Sequence, residues 1–167
     1  MKLNIKVLFV FALLIGAAIF FWLAPSSGLQ AAPLISMTTI DGTSIHTKDL
    51  RGKPYMVVFW ATECPGCVKE IPNLVQLERE LGKQGFRVVA IAMPHDTVSQ
   101  IKTMREQKGM NYDIVYDEKG DLAETFGGIM VTPTNILVSP EGKIVYQKMG
   151  EFDPADMRQR IQSLLTG

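Results

Sequence analysis

Apolar residues along this chain fall into short runs that turn-forming residues separate. Two of the longer runs are almost continuously apolar, which is typical of strands covered on both faces of a sheet. The first two runs flank Asp41-Gly42, a pair that favours a tight hairpin turn. The runs predicted as strands are 35–40, 44–47, 55–60, 86–93, 112–116, 134–138 and 143–148.

Between these runs, apolar positions recur with the spacing of helices. Pro65 suits the first position of one helix, and Thr97 with Gln100 has the spacing of a capping box at the start of another. The alternation predicts one α/β domain with a mixed central sheet flanked by helices. The predicted helices run from Cys64 to Leu81, from Thr97 to about Gly109, from Asp121 to Phe126, and from Asp153 or Pro154 to Leu165.

The N-terminal segment differs from the rest of the chain. Two lysines precede an uncharged apolar stretch, Val7–Ala24, whose length is near the minimum needed to cross a bilayer. We interpret residues 1–24 as a single-pass transmembrane helix, 25–34 as a linker and 35–167 as one domain; a cleaved signal peptide is the alternative. Because both lysines precede the span, the N-terminus should lie in the cytoplasm and the domain outside it.

Charge and composition exclude one class of partner. The chain has 167 residues, enough for one well-packed domain, and its 17 basic residues balance its 17 acidic ones. No basic cluster with interleaved aromatic residues is present, so we expect no nucleic-acid binding. The chain has only two cysteines and two histidines.

Both cysteines, Cys64 and Cys67, lie at the predicted start of a helix. Unpaired N–H groups and the helix dipole favour a thiolate there, and a second thiol one turn later can close an internal disulfide. The spacing therefore suits a reversible dithiol–disulfide couple that needs no other cofactor. A zinc site would need two further ligands, and His46 and His95 stand apart from the cysteines. A purely structural disulfide is the other alternative, although so short a loop removes little unfolded-state entropy.

An ordered set of further motifs accompanies the cysteines. From about Ile35 to Leu165 the chain resembles the TlpA/ResA-type thiol-disulfide oxidoreductases, which are membrane-anchored proteins of the thioredoxin-fold superfamily. The resemblance implies a thioredoxin-like fold with an N-terminal β-hairpin and a central βα insertion between Val88 and Phe126. The motifs that carry it are Asp41-Gly42, Leu50-Arg51-Gly52-Lys53-Pro54, Phe59-Trp60-Ala61-Thr62, Cys64-Pro65-Gly66-Cys67, Glu70, Pro72, Thr132-Pro133-Thr134 and Pro140-Glu141-Gly142-Lys143.

The resemblance implies roles for the cysteines and for one proline. Cys64 would be the exposed nucleophile and Cys67 the buried resolving thiol. Pro133 would be the cis-proline that faces the cysteines in this fold, leaving the backbone of Val131 and Thr132 available to a substrate strand. From periodicity alone, an ordinary trans-proline at the start of a strand is the alternative.

The resemblance also places a glutamate and a tryptophan near the cysteines. Glu70 would accept the proton of Cys67, a role that requires a raised pKa; a solvated glutamate on the helix surface is the alternative. Thioredoxins carry a buried aspartate on the preceding strand, where this chain has Val58, so Glu70 is the remaining candidate base. Trp60 matches a tryptophan that packs beneath the site, although a plain core residue would look the same.

Glu63 departs from the family pattern, which has tryptophan immediately before the first cysteine. A carboxylate beside Cys64 is expected to raise the pKa of that thiol and to oppose the helix dipole. It would also favour substrates that carry a positive patch. The alternative is an exposed loop residue with little effect.

The resemblance implies a reductase of protein disulfides, anchored in the inner (cytoplasmic) membrane with its catalytic domain in the periplasm or extracytoplasmic space. Electrons would come from a membrane donor of the DsbD/CcdA type, and cytochrome c maturation is one pathway that such reductases serve.

Three other functions remain as alternatives. A disulfide-forming oxidant would differ in its reduction potential. A peroxiredoxin-like peroxidase would need threonine and proline where this chain has Ala61 and Val57, and a copper carrier of the Sco type would need CxxxC with a distal histidine.

Overall fold

The computed structural model describes residue 15 and residues 29–167. Apart from residue 15, the predicted transmembrane segment Val7–Ala24 lies outside the described residues, and so does the first part of the predicted linker. No helix in the described part of the chain is both long enough and apolar enough to cross a membrane.

Seven strands and four helices follow one another along the described chain, in the order that the patterning predicts. The strands are β1 (Ser36–Thr38), β2 (Ser44–His46), β3 (Tyr55–Trp60), β4 (Arg87–Ala92), β5 (Asp113–Tyr116), β6 (Thr134–Val138) and β7 (Ile144–Met149). The helices are α1 (Pro65–Leu81), α2 (Val98–Lys108), α3 (Asp121–Thr125) and α4 (Pro154–Thr166), with short 3₁₀ turns at Thr47–Leu50 and Gly82–Gln84.

Strands β3 to β7 form one mixed sheet in the order β5-β4-β3-β6-β7. β3, β4 and β5 run parallel, whereas β6 pairs antiparallel with both β3 and β7. The predicted mixed sheet flanked by helices is therefore confirmed. The segment from Val88 to Phe126 comprises most of β4 together with α2, β5 and α3, and it adds β5 as an edge strand.

Strand β3 lies at the centre of the sheet and contributes to a core on each face. Successive side chains of a strand point to opposite faces, so alternate β3 residues enter different cores. α1, α2 and α4 cover one face, whereas the β1–β2 hairpin and the segment around α3 cover the other. The β3 residues on the first face are Met56, Val58 and Trp60, and those on the second are Tyr55, Val57 and Phe59.

The predicted hairpin is present, and it covers the β5 edge of the sheet. Its turn contains Gly42 at φ 85°, a conformation that glycine adopts without steric cost. β1 ends two residues earlier than predicted because the chain then pairs with β5 instead of β2. Thr39 forms a β-bridge with Val115, and the N–H of Ile40 donates to the carbonyl of Ile114 at 2.9 Å.

The last residues of the predicted linker run beside the start of β7. The N–H of Ile144 donates to the carbonyl of Gln30 at 2.8 Å, and the N–H of Ala32 donates to the carbonyl of Gly142 at 2.9 Å. Through β6, Ile144 lies level with Tyr55, the first residue of β3. The chain therefore enters the domain at the end of the sheet opposite to the last residue of β3.

The capping box at the start of α2 is present, which confirms the prediction. The Thr97 side chain accepts from the N–H of Gln100, and the Gln100 side chain accepts from the N–H of Thr97.

We expect Thr97→Ala to lower the free energy of unfolding by about 1 kcal/mol. Urea unfolding of the purified chain measures this change. Thr103→Ala, at an exposed position inside the same helix, is the matched control and should cause no loss; an equal loss in both variants would contradict the assignment.

Candidate active site

The two cysteines lie where β3 is followed by α1. Cys64 is the N-cap residue of α1, and its Sγ accepts a hydrogen bond of 3.1 Å from the N–H of Cys67. The two residues form a disulfide, with their Cα atoms 5.2 Å apart. Cys64 is half-buried, whereas Cys67 is only 3% exposed. A partner thiol or disulfide therefore has better access to Cys64.

A buried aspartate holds the loop that presents Cys64. The carboxylate of Asp96 accepts from the N–H of Thr62 at 3.0 Å and from the hydroxyl of Thr62 at 2.6 Å. Asp96 is 3% exposed and follows β4, so it ties the loop after β3 to the loop after its neighbouring strand. Asp96 was not predicted, because nothing in its local sequence pattern distinguishes it from an exposed loop residue.

The Thr132–Pro133 peptide bond is cis, as the resemblance implied. Pro133 is buried against the first turn of α1: a Cβ placed on Gly66 would lie 3.4 Å from its Cδ. Val131, two residues before Pro133, is 50% exposed, although its carbonyl already accepts a 2.6 Å hydrogen bond from the Thr134 hydroxyl. The cis-proline loop and the cysteines thus share one surface.

Glu70 is buried beneath the cysteines, with 2% of its surface exposed, rather than solvated on the helix surface. Its Oε1 accepts from the N–H of Phe152 at 2.6 Å, and both carboxylate oxygens lie 3.1 Å from the side-chain amide nitrogen of Asn135. Burial raises the pKa of Glu70 from 4.5 to about 7, because the loss of hydration outweighs the hydrogen bonds from Phe152 and Asn135. The carboxyl group is therefore able to gain or lose a proton near neutral pH.

Trp60 and Glu63 occupy contrasting environments on either side of the loop. Trp60 ends β3, is 2% exposed and packs in the same core as Cys67. Glu63 is exposed, and it makes no side-chain hydrogen bond or ion pair within the described part of the chain. A second carboxylate, Glu151, lies 3.7 Å from the position of a Cβ on Gly66 and pairs with Lys69. Both carboxylates lie on the rim around Cys64.

His46 does not join this site. His46 lies in the hairpin, where its Nδ1 is 2.6 Å from the hydroxyl of Ser36. Among residue 15 and residues 29–167, no three Cys, His, Asp or Glu side chains are close enough together to hold a metal ion.

The burial of Glu70 has a consequence for stability that we expect to be measurable. Since its pKa is raised from 4.5 to about 7, the folded chain binds this proton more tightly than the unfolded chain does. The free energy of unfolding should therefore fall by on the order of 3 kcal/mol as the pH rises across that interval, and level off above it. Glu70→Gln should remove this component of the pH dependence.

Urea unfolding of the oxidised chain at several pH values tests the effect. Glu106→Gln, an exposed Glu→Gln change on α2, is the control and should keep the wild-type dependence. A Glu70→Gln variant with the wild-type dependence would show that Glu70 is not the group that titrates.

Comparison with known proteins agrees with the site geometry. Residues 29–147 match the model of the AhpC/TSA family. The thiol-disulfide oxidoreductase ResA of Bacillus thuringiensis strain Al Hakam is 30% identical over 122 residues, which is 73% of this chain and 69% of that protein. ResA of strain 97-27 of subspecies konkukian is 25% identical over 135 residues, 81% of this chain and 77% of that protein.

A solved structure supports the same assignment. The thiol:disulfide interchange protein of the thioredoxin family from Chlorobium tepidum TLS superposes with a TM-score of 0.76 at 29% sequence identity. The match covers 84% of this chain and 99% of that chain, so the resemblance extends over a whole domain rather than one motif. With the family match spanning most of its length, the chain belongs to the AhpC/TSA family and, within its thioredoxin-fold members, to the ResA-type thiol-disulfide oxidoreductases.

Proposed function

We propose that this chain reduces disulfides of extracytoplasmic proteins through the Cys64–Cys67 couple. The observation that carries the proposal is the asymmetric cysteine pair, with an accessible Cys64 at a helix N-terminus and a buried Cys67. A buried carboxyl group that titrates near neutrality lies one turn beyond Cys67. These are the parts that a two-step disulfide exchange needs.

In the first step, the thiolate of Cys64 attacks one sulfur of a client disulfide. A Cys64–client disulfide forms, the client disulfide breaks, and the second client sulfur leaves with the electron pair and takes a proton from water. The N-terminus of α1 stabilises the attacking thiolate through the N–H groups that have no acceptor inside the helix. One of them, the N–H of Cys67, donates to Cys64 Sγ.

In the second step, Cys67 resolves the mixed disulfide. Glu70 accepts the proton of the Cys67 thiol, and the resulting thiolate attacks Cys64 Sγ, which expels the client as its second thiolate. Two electrons have then passed to the client, and the enzyme is left with the Cys64–Cys67 disulfide. The carboxyl group of Glu70 suits this transfer because its pKa of about 7 lies close to the operating pH.

The cis-proline loop is the proposed docking site for the client backbone. Extended peptides gain main-chain hydrogen bonds when they pair with exposed backbone, and the segment Val131–Thr132 offers such backbone beside Cys64. Met130 and Val131 are 90% and 50% exposed, and they add apolar area to this loop. Trp60 supports the site from below, and Glu63 favours clients with basic residues near their disulfide.

The location and the electron supply follow from the same proposal. An oxidising compartment reoxidises the cysteines, so a reductase there needs a donor, which we propose to be a membrane protein of the DsbD/CcdA type. The apolar N-terminal stretch favours attachment to the cytoplasmic membrane. Apocytochromes c are one client class, because haem attachment requires reduced CxxCH thiols.

Replacement of Cys67 tests the function as a whole. Without the resolving thiol, Cys64 should remain joined to its clients, so Cys67→Ala expressed in its native membrane should carry discrete adducts that disappear on reduction. Cys64→Ala should abolish them. The identities of the adducts name the clients, and an absence of adducts would overturn the proposal.

The direction of transfer is tested in the same cells. A reductase that its donor keeps supplied should be found mainly as the dithiol, which thiol labelling after acid quenching reveals. Wild-type protein found mainly as the disulfide would instead indicate a disulfide-forming oxidant.

Glu63 is tested by removal of its charge. If the carboxylate disfavours the Cys64 thiolate, Glu63→Gln should increase the rate of Cys64 alkylation at slightly acidic pH, and the gain should shrink at high salt because the charge is exposed. Glu118→Gln, an exposed change outside the rim, is the control. Identical alkylation profiles for all three proteins would make Glu63 an ordinary loop residue.

A further inference from the structure

A small cavity lies directly beneath Cys67, between α1 and the central strands. Glu70, Trp60 and Tyr112 line it together with Cys67, and apolar side chains complete the wall. The space open to the centre of a water-sized sphere is about 10 Å³. A cavity of this size has room for one water molecule, provided that polar groups are available to bind it.

Two hydrogen-bond donors in the cavity wall have no partner in the described chain. They are the indole Nε1 of Trp60 and the hydroxyl of Tyr112, and their residues are 2% and 6% exposed. A buried polar group without a partner destabilises the fold, so native proteins rarely leave two of them in the wall of one cavity. Burial raises the pKa of Tyr112, and the nearby Glu70 raises it further, so this hydroxyl keeps its proton and remains a donor.

The acceptors face the same space. Glu70 Oε1 receives hydrogen bonds from Phe152 and Asn135, whereas Oε2 shares only the Asn135 amide and keeps capacity for another bond. Cys67 also lines the space, and its sulfur is a further group that can accept a hydrogen bond. Two donors without a partner, on Trp60 and Tyr112, therefore surround a space for one water together with two groups that can lose a proton, the Glu70 carboxyl and the Cys67 thiol.

We propose that the Tyr112 hydroxyl is a positioning residue for the second step of disulfide exchange: with the Trp60 indole it anchors one water molecule between Cys67 and Glu70. This inference rests on the proposed function. To accept the proton of the Cys67 thiol, the water gives up its hydrogen bond from the Trp60 indole while it stays bound to the Tyr112 hydroxyl. It passes one of its own protons to the Glu70 carboxylate and then accepts from Trp60 again, so it is unchanged overall. The thiolate then forms the bond to Cys64 Sγ while the client sulfur leaves with its electron pair.

The two donors stabilise the charged species at each end of this path. When Glu70 is ionised, the hydrogens of Tyr112 and Trp60 orient the water towards the carboxylate, and when Cys67 is ionised they orient it towards the sulfur. The other charged or titratable groups that act on Glu70 from neighbouring elements are Lys148 and Tyr146 of β7 and Glu151 of the following loop. None of these is altered when Tyr112 is replaced.

The test compares wild-type protein with Tyr112→Phe, and uses Tyr55→Phe as a matched control in the opposite core. In the oxidised full chain, carbon NMR of labelled glutamate carboxyls follows the titration of Glu70 without any turnover. Loss of the donor should raise the Glu70 midpoint by about one pH unit in Tyr112→Phe. Tyr55→Phe should keep the wild-type midpoint, and an unchanged midpoint in Tyr112→Phe would overturn the proposal.

Kinetics give a second readout on the reduced chain. A symmetrical aromatic disulfide that releases a coloured thiolate should show two phases, the first from attack by Cys64 and the second from resolution by Cys67. Tyr112→Phe should leave the first phase unchanged and slow the second about tenfold near pH 6.5, with its pH profile shifted upward. If the second phase is equally fast in wild-type protein and in Tyr112→Phe, the role of Tyr112 is refuted. If the wild-type chain shows neither phase, the proposed function is refuted instead.

Direct observation of the water tests the proposal even if Tyr112→Phe does not fold. A high-resolution crystal structure of the wild-type chain should show one water within hydrogen-bond distance of Trp60 Nε1 and the Tyr112 hydroxyl. A dry cavity in such a structure would overturn the proposal.

Discussion

The buried carboxylate of Glu70 joins three parts of the chain that are far apart in sequence. Removing a charge from water is costly unless hydrogen bonds replace its hydration, and the N–H of Phe152 and the amide of Asn135 provide them. These contacts require α1, β6 and the segment before α4 to hold fixed relative positions. Pro133 lies two residues before Asn135, so the same contacts set the cis-proline loop against the first turn of α1.

The burial of Glu70 lowers the stability of the fold when the carboxylate is ionised, and it gives the carboxyl group a pKa near neutral pH. Hydrogen bonds to Glu70 favour its ionised form, yet burial outweighs them and keeps the pKa near 7. An apolar residue of similar size would avoid that conflict but could not perform the proposed proton exchange with Cys67. Sites where a local rule of packing is broken are where function is expected, and the unpartnered groups of Trp60 and Tyr112 lie within the same small volume.

The local sequence pattern was enough to predict the strands, the helices and a redox role for the two cysteines, because the residues that indicate each of these lie close together in the sequence. The strand at 55–60 and the capping box at Thr97 depend only on neighbouring side chains, and both have the predicted bounds. Asp96 and Phe152 could not be found in this way. They contact residues 34 and 82 positions away, and such contacts exist only once the sheet order is known. Glu70 was predicted near the cysteines through the family resemblance, not through any periodicity.

The chain enters the domain at the end of the central sheet opposite to the cysteines. Gln30 pairs with Ile144 at one end of the sheet, while Cys64 follows the last residue of β3 at the other. The six residues of β3 separate these ends by about 20 Å. The cysteines and the point where the chain enters the domain therefore lie at opposite ends of the sheet, so a bulky folded client can reach Cys64 without contacting the entry point.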